Sequence, residues 1–276
     1  MSIKFGPAGL GPVKTALSVL EQYAKQGIKA CEIAFTYSVY IKPEEAKVIG
    51  KKAQELDIEL SIHAQYWVNL NSEEKEKREA TKKRILDCCK IGELLGAKVV
   101  VFHPGYYTNK GKTNADKKDT YNNIKQGILD IMKVIADNKW KIRIAPETMG
   151  KVNVFGSIEE ISSLVRETGC SFCIDFAHIL AREKKVDCDK IISLFPGKEW
   201  HCHFSGIEYS DLGEKHHIST STDKWKELLK NIPKDKEIRI INESPTMLED
   251  SISGLKIYSK LNQKHDAPPR LKSRGL

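Results

Sequence analysis

Nothing in the 276 residues is apolar for long: the longest hydrophobic runs are as short as Val99-Val100-Val101-Phe102, far below the ~20 residues that cross a bilayer, so no membrane partner is expected. No Gly-x-Gly-x-x-Gly follows the first strand-like segment, which argues against a dinucleotide fold. The glycine-rich phosphate loop of nucleoside triphosphatases and the Gly-x-Ser-x-Gly of serine hydrolases are missing too. Cysteines number seven, an odd and scattered set, so no disulfide framework is expected and a reducing cytoplasm fits. The opening Met1-Ser2-Ile3-Lys4-Phe5-Gly6 enters a strand pattern without the apolar stretch of a secretion signal. Acidic residues are the scarcer charge, 37 against 45 Lys+Arg for a net +8. That excludes an acidic disordered chain and is compatible with an anionic partner.

What is present is alternation. Strands are expected at Ile3–Gly6, Ala30–Phe35, Glu59–His63, Lys98–His103, Lys141–Glu147, Ser171–Asp175, Trp200–Phe204 and Glu237–Asn242. Between and after them fall helical spacings: Val13-Ala16-Leu17-Leu20-Tyr23-Ala24, then Pro43–Leu56, Glu73–Leu95, Lys117–Asn138, a segment opened by Ser157 with Glu160 as a capping box, Asp187–Leu194, Thr222–Leu229 and Met247–Leu261. Alternating strands and helices imply a parallel sheet covered by helices. This many units in a chain of this length predicts an α/β fold of the TIM type, a single-domain (β/α)8 barrel over residues 1–262. A doubly wound open sheet is the alternative. Residues 263–276, basic and without apolar periodicity, are expected to form a disordered tail.

The carboxyl ends of these strands carry polar residues: His63, His103, Glu147, Asp175 followed by His178, His203 and Glu243. In a barrel these ends converge on one face, where active sites form. One histidine after a strand reads as structural, but the coincidence of so many does not. Imidazoles mixed with carboxylates suit zinc, manganese or iron. The loop after the seventh strand carries Glu214-Lys215-His216-His217, a candidate third site, because Glu214 and His216 share a face if the loop is extended. His201 lies two residues before His203 and fits a deeper barrel layer. His217 fits a phosphate contact as well as solvent. Cys170-x-x-Cys173 lies along a strand, and Cys88-Cys89 on a helix, so burial is expected for all four.

The ordered set His63, His103, Glu147, Asp175-x-x-His178, His203, Glu214-x-His216 and Glu243 resembles the endonuclease IV family of apurinic/apyrimidinic endonucleases (deoxyribonuclease IV). The local words agree: His63-Ala64-Gln65-Tyr66, Phe102-His103-Pro104-Gly105, Pro146-Glu147-Thr148 and Asn242-Glu243. The resemblance implies a barrel holding three zinc ions, with manganese or iron able to serve at some sites. His63 and His103 would hold one, Glu147 would bridge to a second completed by Asp175, His203 and Glu243, and His178, Glu214 and His216 would hold the third. It further implies hydrolysis of duplex DNA on the 5′ side of an abasic site in base excision repair, leaving a 3′-hydroxyl and a 5′-deoxyribose phosphate. Glu147 and Glu243 would be the catalytic carboxylates.

The chain departs from that family at Glu214-Lys215-His216, where Asp-Arg-His is usual, at Gln65, where proline is usual, and at its opening strand. The loop Phe35–Lys42 holds no arginine to probe the duplex. Tyr37 or Tyr40 would take that part, with Tyr66, Tyr106, Lys110 and Lys112 as further DNA contacts and a monomer as the working unit. Tyr107, Trp67, Lys117 and Lys118 lie in the same stretches. The alternative is a metal-dependent sugar isomerase or epimerase of the xylose isomerase-like barrel type, which would not need Glu214 and His216. A barrel that binds damaged DNA without cutting it is a third reading.

Overall fold

A computed structural model describes residues 2–265. Eight parallel strands line its centre: β1 (Ser2–Pro7), β2 (Ala30–Ala34), β3 (Glu59–His63), β4 (Val99–Phe102), β5 (Arg143–Pro146), β6 (Cys173–Asp175), β7 (Glu199–His203) and β8 (Glu237–Asn242). They are hydrogen-bonded as two four-stranded sheets, β2-β3-β4-β5 and β6-β7-β8-β1. Two seams close these into a barrel. At one, the Lys29 amide donates to Phe5 O at 3.2 Å, and Gly6 sits so close that a Cβ there would lie 1.8 Å from Ala30 O. At the other, Glu147 bridges to Cys173 and the Thr148 amide donates to Cys173 O at 3.1 Å.

The helices are α1 (Ala16–Lys25), α2 (Pro43–Glu55), α3 (Lys75–Leu95), α4 (Asn114–Asp137), α5 (Ile158–Thr168), α6 (Phe176–Glu183), α7 (Cys188–Leu194), α8 (Thr222–Asn231) and α9 (Met247–His265). Most of the longer helices bury apolar residues toward the strands. In α5, Ile158, Ile161 and Leu164 are buried. Its first turn is closed by the expected capping box, in which the Glu160 amide donates to Ser157 Oγ at 3.2 Å and Glu160 Oε2 accepts from the Ser157 amide at 2.9 Å. The main core therefore lies between strands and helices, as where Trp225 meets Phe5 and Phe204 edge-on.

Inside the barrel the strand period of two stacks inward residues in layers. Val99, Val101, Ala145 and Cys173 form a small apolar cluster of their own there. Polar residues lie above it at the carboxyl ends of the strands, and charged ones below at the amino ends.

The (β/α)8 architecture agrees with the sequence reading, and element ends shift by a few residues. Three expectations need correction. Helix α6 is absent from the sequence reading; it follows β6 with no loop between, so no turn residue announces it. The segment around 206–218, read as a loop, is an antiparallel hairpin of Gly206–Ser210 with Gly213–Ile218. Helix α9 continues to His265, past the expected start of a tail at 263, because Asn262, Gln263 and Lys264 do not stop a helix and proline first occurs at 268. Residues 266–276 of that tail lie outside the described residues.

Candidate metal centre

Glu147, immediately after β5, is the hub. It is fully buried, and its two oxygens face different partners. Oε2 lies 3.3 Å from His63 Nε2 and 3.2 Å from His103 Nε2. Oε1 lies 3.2 Å from His203 Nδ1 and 3.3 Å from His178 Nδ1. Strand ends deliver these groups directly: His63 closes β3, His103 follows β4, and His203 closes β7. Glu243 follows β8, with Oε2 3.4 Å from His203 Nδ1. It is held between two buried neighbours, Asn242, whose amide donates to Phe204 O at 2.8 Å, and Ser244, whose hydroxyl donates to Asp250 at 2.6 Å. Asp175 both ends β6 and caps α6, accepting from the His178 amide at 2.7 Å. That cap brings His178 into the first helical turn and over the mouth.

His63, His103 and Glu147 thus make one group close enough to hold an ion, and Glu147, Asp175, His203 and Glu243 make a second. A third comprises Asp175, His178 and His217, with Glu214 Oε2 3.4 Å from His178 Nε2. His216 is not part of it. Its ring is 60% exposed and paired with Glu208 at 3.3 Å. The cause is a β-bulge. Tyr209 pairs with Glu214 but Glu208 pairs with His216, so Lys215 is the extra residue on its strand. The bulge inverts the alternation, leaving Glu214 and His217 on the mouth side. His217 Nδ1 is held by the Ser205 hydroxyl. The hairpin presses on the loop after β5 through paired glycines: a Cβ on Gly213 would lie 2.1 Å from Gly150 O, and one on Gly150 2.7 Å from Glu214 Cβ.

The electrostatics of this mouth are unbalanced. Among the described residues, no lysine or arginine ion-pairs with Glu147, Asp175, Glu243 or Glu214; their charged neighbours are imidazoles. Burial opposes a charged His63, yet Glu147 and the other carboxylates raise its pKa to about 9. Burial likewise opposes a charged Glu243, but His203 brings it down to about 2. Asp175 is pushed up, first by burial and then by Glu147 and Glu243. Asp175 Oδ2 and His178 Nε2 are buried with no hydrogen-bond partner. Orphaned lone-pair donors among crowded carboxylates are what divalent cations satisfy, so the residues present fit metal ions.

A profile of the xylose isomerase-like TIM barrel matches residues 20–251. The chain belongs to the xylose isomerase-like TIM barrel family. It is 34% identical to an uncharacterized protein of Methanocaldococcus jannaschii, over 93% of this chain and 97% of that one. It is 26% identical to a probable endonuclease 4 of Acholeplasma laidlawii, over 81% of this chain and 84% of the relative. The same fold occurs in the crystal structure of SacUVDE (TM-score 0.74, 17% identity, 95% of this chain and 99% of that one). It occurs also in endonuclease IV from Thermus thermophilus (0.66, 19%, 96% and 100%) and in D-psicose 3-epimerase from Clostridium cellulolyticum (0.66, 14%, 96% and 98%).

Around this TIM-barrel mouth lies a cavity of about 520 Å³ lined by His63, His103, His178, Glu214, Tyr66 and Tyr106. Tyr66 is 55% exposed and leans over His63 and His103. Tyr106 is equally open, on a two-residue strand that pairs with Val154–Phe155. Tyr37 is exposed and packs against Trp67; Tyr40 meets Phe35 edge-on. Lys110 and Lys112 are exposed on the turn beyond Tyr106. Tyr107 turns inward instead, donating to Glu160 at 2.7 Å.

Two residues escape a search of strand ends alone. The sequence leaves His217 between phosphate and solvent. Glu32, in the middle of β2, is fully buried beneath the mouth against Ser61, His201 and His203. A carboxylate inside the apolar word Ala30-Cys31-Glu32-Ile33-Ala34 is the available signal. Cys88, Cys89, Cys170 and Cys173 are all buried free thiols.

Proposed function

We propose that this barrel is a zinc-dependent phosphodiesterase that cuts duplex DNA 5′ to an abasic site, leaving a 3′-hydroxyl and a 5′-deoxyribose phosphate. The observation that carries the reading is the position of Glu147, whose two oxygens face two separate ligand groups. A carboxylate so placed would help to hold two cations, and a pair of cations would suit in-line displacement at phosphorus. Charge supports the same count. One divalent ion would leave part of the negative charge of Glu147, Asp175, Glu243 and Glu214 uncompensated in a largely buried site. Bound zinc would supply Lewis acidity toward the phosphate and an acidified water.

The chain's own groups do the rest. Glu243, held as an anion, accepts a hydrogen bond from the attacking water and orients it. His178, Glu214 and His217 would hold a cation where it could stabilise the departing oxygen. Tyr66 and Tyr106 offer faces to an opened base stack, with Tyr37 or Tyr40 reaching into it, while Lys110 and Lys112 meet backbone phosphates.

The second reading is a sugar epimerase. It is favoured by the completeness of Glu147, Asp175, His203 and Glu243 as a one-ion site and by the likeness of fold to D-psicose 3-epimerase. One experiment separates the two. Zinc- and manganese-loaded protein is assayed on an abasic-site duplex with end analysis, and on D-psicose and related ketoses, alongside elemental analysis. Incision with more than one ion per chain supports the nuclease; ketose epimerisation at one ion per chain replaces it.

A further inference from the structure

We propose that Arg182 is a positioning residue: it fixes the loop after β5 and, through that loop, holds Glu214 against His178 in the third ligand group. The proposal rests on reading the mouth as a metal centre, not on which reaction runs there.

Arg182 follows His178 by one helical turn on α6, so the two share a face of that helix. Its guanidinium reaches the loop between β5 and α5. Nη1 donates to Lys151 O at 2.7 Å and to Val154 O at 2.9 Å, with Met149 O at 3.4 Å. Nη2 donates to the Tyr107 hydroxyl at 3.2 Å, which itself donates to Glu160 at 2.7 Å. A rigid planar fork of donors can serve several acceptors at once, where the point charge of a lysine cannot.

The loop passes this restraint on to the hairpin. Lys151 bridges to Gly213, the Val152 amide donates to Leu212 O at 3.3 Å, and the Glu214 amide donates to Gly150 O at 3.2 Å. The contact is tight: a Cβ on Gly150 would lie 2.7 Å from Glu214 Cβ and 3.0 Å from His178 Cδ2. Glu214 Oε2 ends 3.4 Å from His178 Nε2. The path therefore leaves α6 at Arg182, crosses loop and hairpin, and returns to α6 at His178. On its other side the same loop pairs with the stretch that carries Tyr106. Met149, Lys151 and Val154 line the mouth cavity, so Arg182 holds a wall that substrate meets. His63, Asp175 and His203 end strands that the barrel's own ladders hold. Loss of Arg182 should thus loosen one ligand group and spare the others.

The test measures zinc binding to Arg182→Ala, Arg182→Lys and Glu214→Ala by chelator competition, with amide exchange of the metal-free proteins. In Arg182→Ala one ion should bind about 10- to 100-fold more weakly and the rest as in the parent. Millimolar guanidinium should restore part of that loss, and sodium chloride at the same concentration should not. Exchange should quicken in the loop after β5 and in the hairpin and stay unchanged in β3 and β7. Adding Arg182→Ala to Glu214→Ala should weaken ion binding no further, because both act on one site. A purely structural arginine gives a different pattern: lower melting with zinc affinity unchanged, equal weakening of every ion, or full additivity with Glu214→Ala. Any of these overturns the inference while the metal centre stands. A parent that binds no zinc removes the metal centre and this inference together. Should Arg182→Ala fail to fold, Arg182→Lys decides by the same titration, since it keeps the charge without the fork and must weaken the same single ion.

Discussion

The two ends of one barrel interior handle charge in opposite ways. At the amino ends of the strands, Glu59 lies against Lys4 at 2.7 Å and against Arg239, and Glu199 lies against Arg143 and Arg239. Each of these two floor carboxylates has a permanent cation beside it. At the carboxyl ends, Glu147, Asp175, Glu243 and Glu214 meet imidazoles only. Both ends are built by the same strands, two or three inward residues apart: Glu59 and His63 share β3, and Glu199 and His203 share β7. The floor completes its own electrostatics and serves stability. The mouth leaves its electrostatics open to a cation from outside and gives up stability for chemistry.

On that contrast, substitutions at the two ends fail differently. The largest effect is expected from Glu147→Gln. It should remove at least one ion per chain and lower abasic-duplex cleavage by about 100-fold or more. The metal-free variant should keep its fold by circular dichroism but melt lower than the parent, because the imidazoles around Glu147 lose their negative partner. A variant that keeps every ion would break the contrast. Arg239→Ala is its mirror image. Leaving Glu59 without its buried partner should cost about 3 kcal/mol in denaturant unfolding, with metal content unchanged by elemental analysis.

Smaller effects sharpen the picture within each end. At the mouth, Glu214→Ala and His217→Ala should each lose one ion and slow cleavage about tenfold, whereas His216→Ala should keep both ion content and rate. Equal loss in all three would mean that the hairpin rearranges on loading. At the floor, burial alone would raise the Glu59 pKa, but Lys4 and Arg239 bring it below its ordinary 4.5. A depressed carboxylate stabilises fully above that value and loses its contribution as the pH falls below it. The metal-free protein should therefore lose stability below pH 4.5, and Glu59→Gln should flatten that part of the profile in thermal melts. Outside both ends, Lys110→Ala with Lys112→Ala should reduce the salt slope of DNA binding by roughly 0.9 for each phosphate these lysines neutralise. An unchanged slope makes them surface charge only.

Much of this is legible in the sequence because a barrel converts order into position. His63, His103, Glu147, Asp175, His203 and Glu243 end or follow strands, and the ends of parallel strands meet. What escapes does so for local reasons. Helix α6 hides because Asp175 is both the last strand residue and the helix cap, so no linker marks the change. The sequence favours His216 over His217 because i, i+2 spacing holds only in unbroken strands, and one extra residue at Lys215 reverses the parity. Glu32 escapes because it lies mid-strand, among residues whose apolar character reads as core.

The seam between β5 and β6 gives the metal centre a second consequence. His63, His103 and Glu147 come from one four-stranded sheet, and Asp175, His203 and Glu243 from the other. The backbone joins these halves there through the bridge of Glu147 with Cys173, the Thr148 amide on Cys173 O at 3.1 Å and the Ser171 amide on Ile144 O at 3.0 Å. An ion held from both sides would rivet the wall along this seam. Free ion at about 100 times its dissociation constant would then add about 2.7 kcal/mol to the closed form. Chelation should accordingly quicken amide exchange first at Thr148, where the staves of the barrel part.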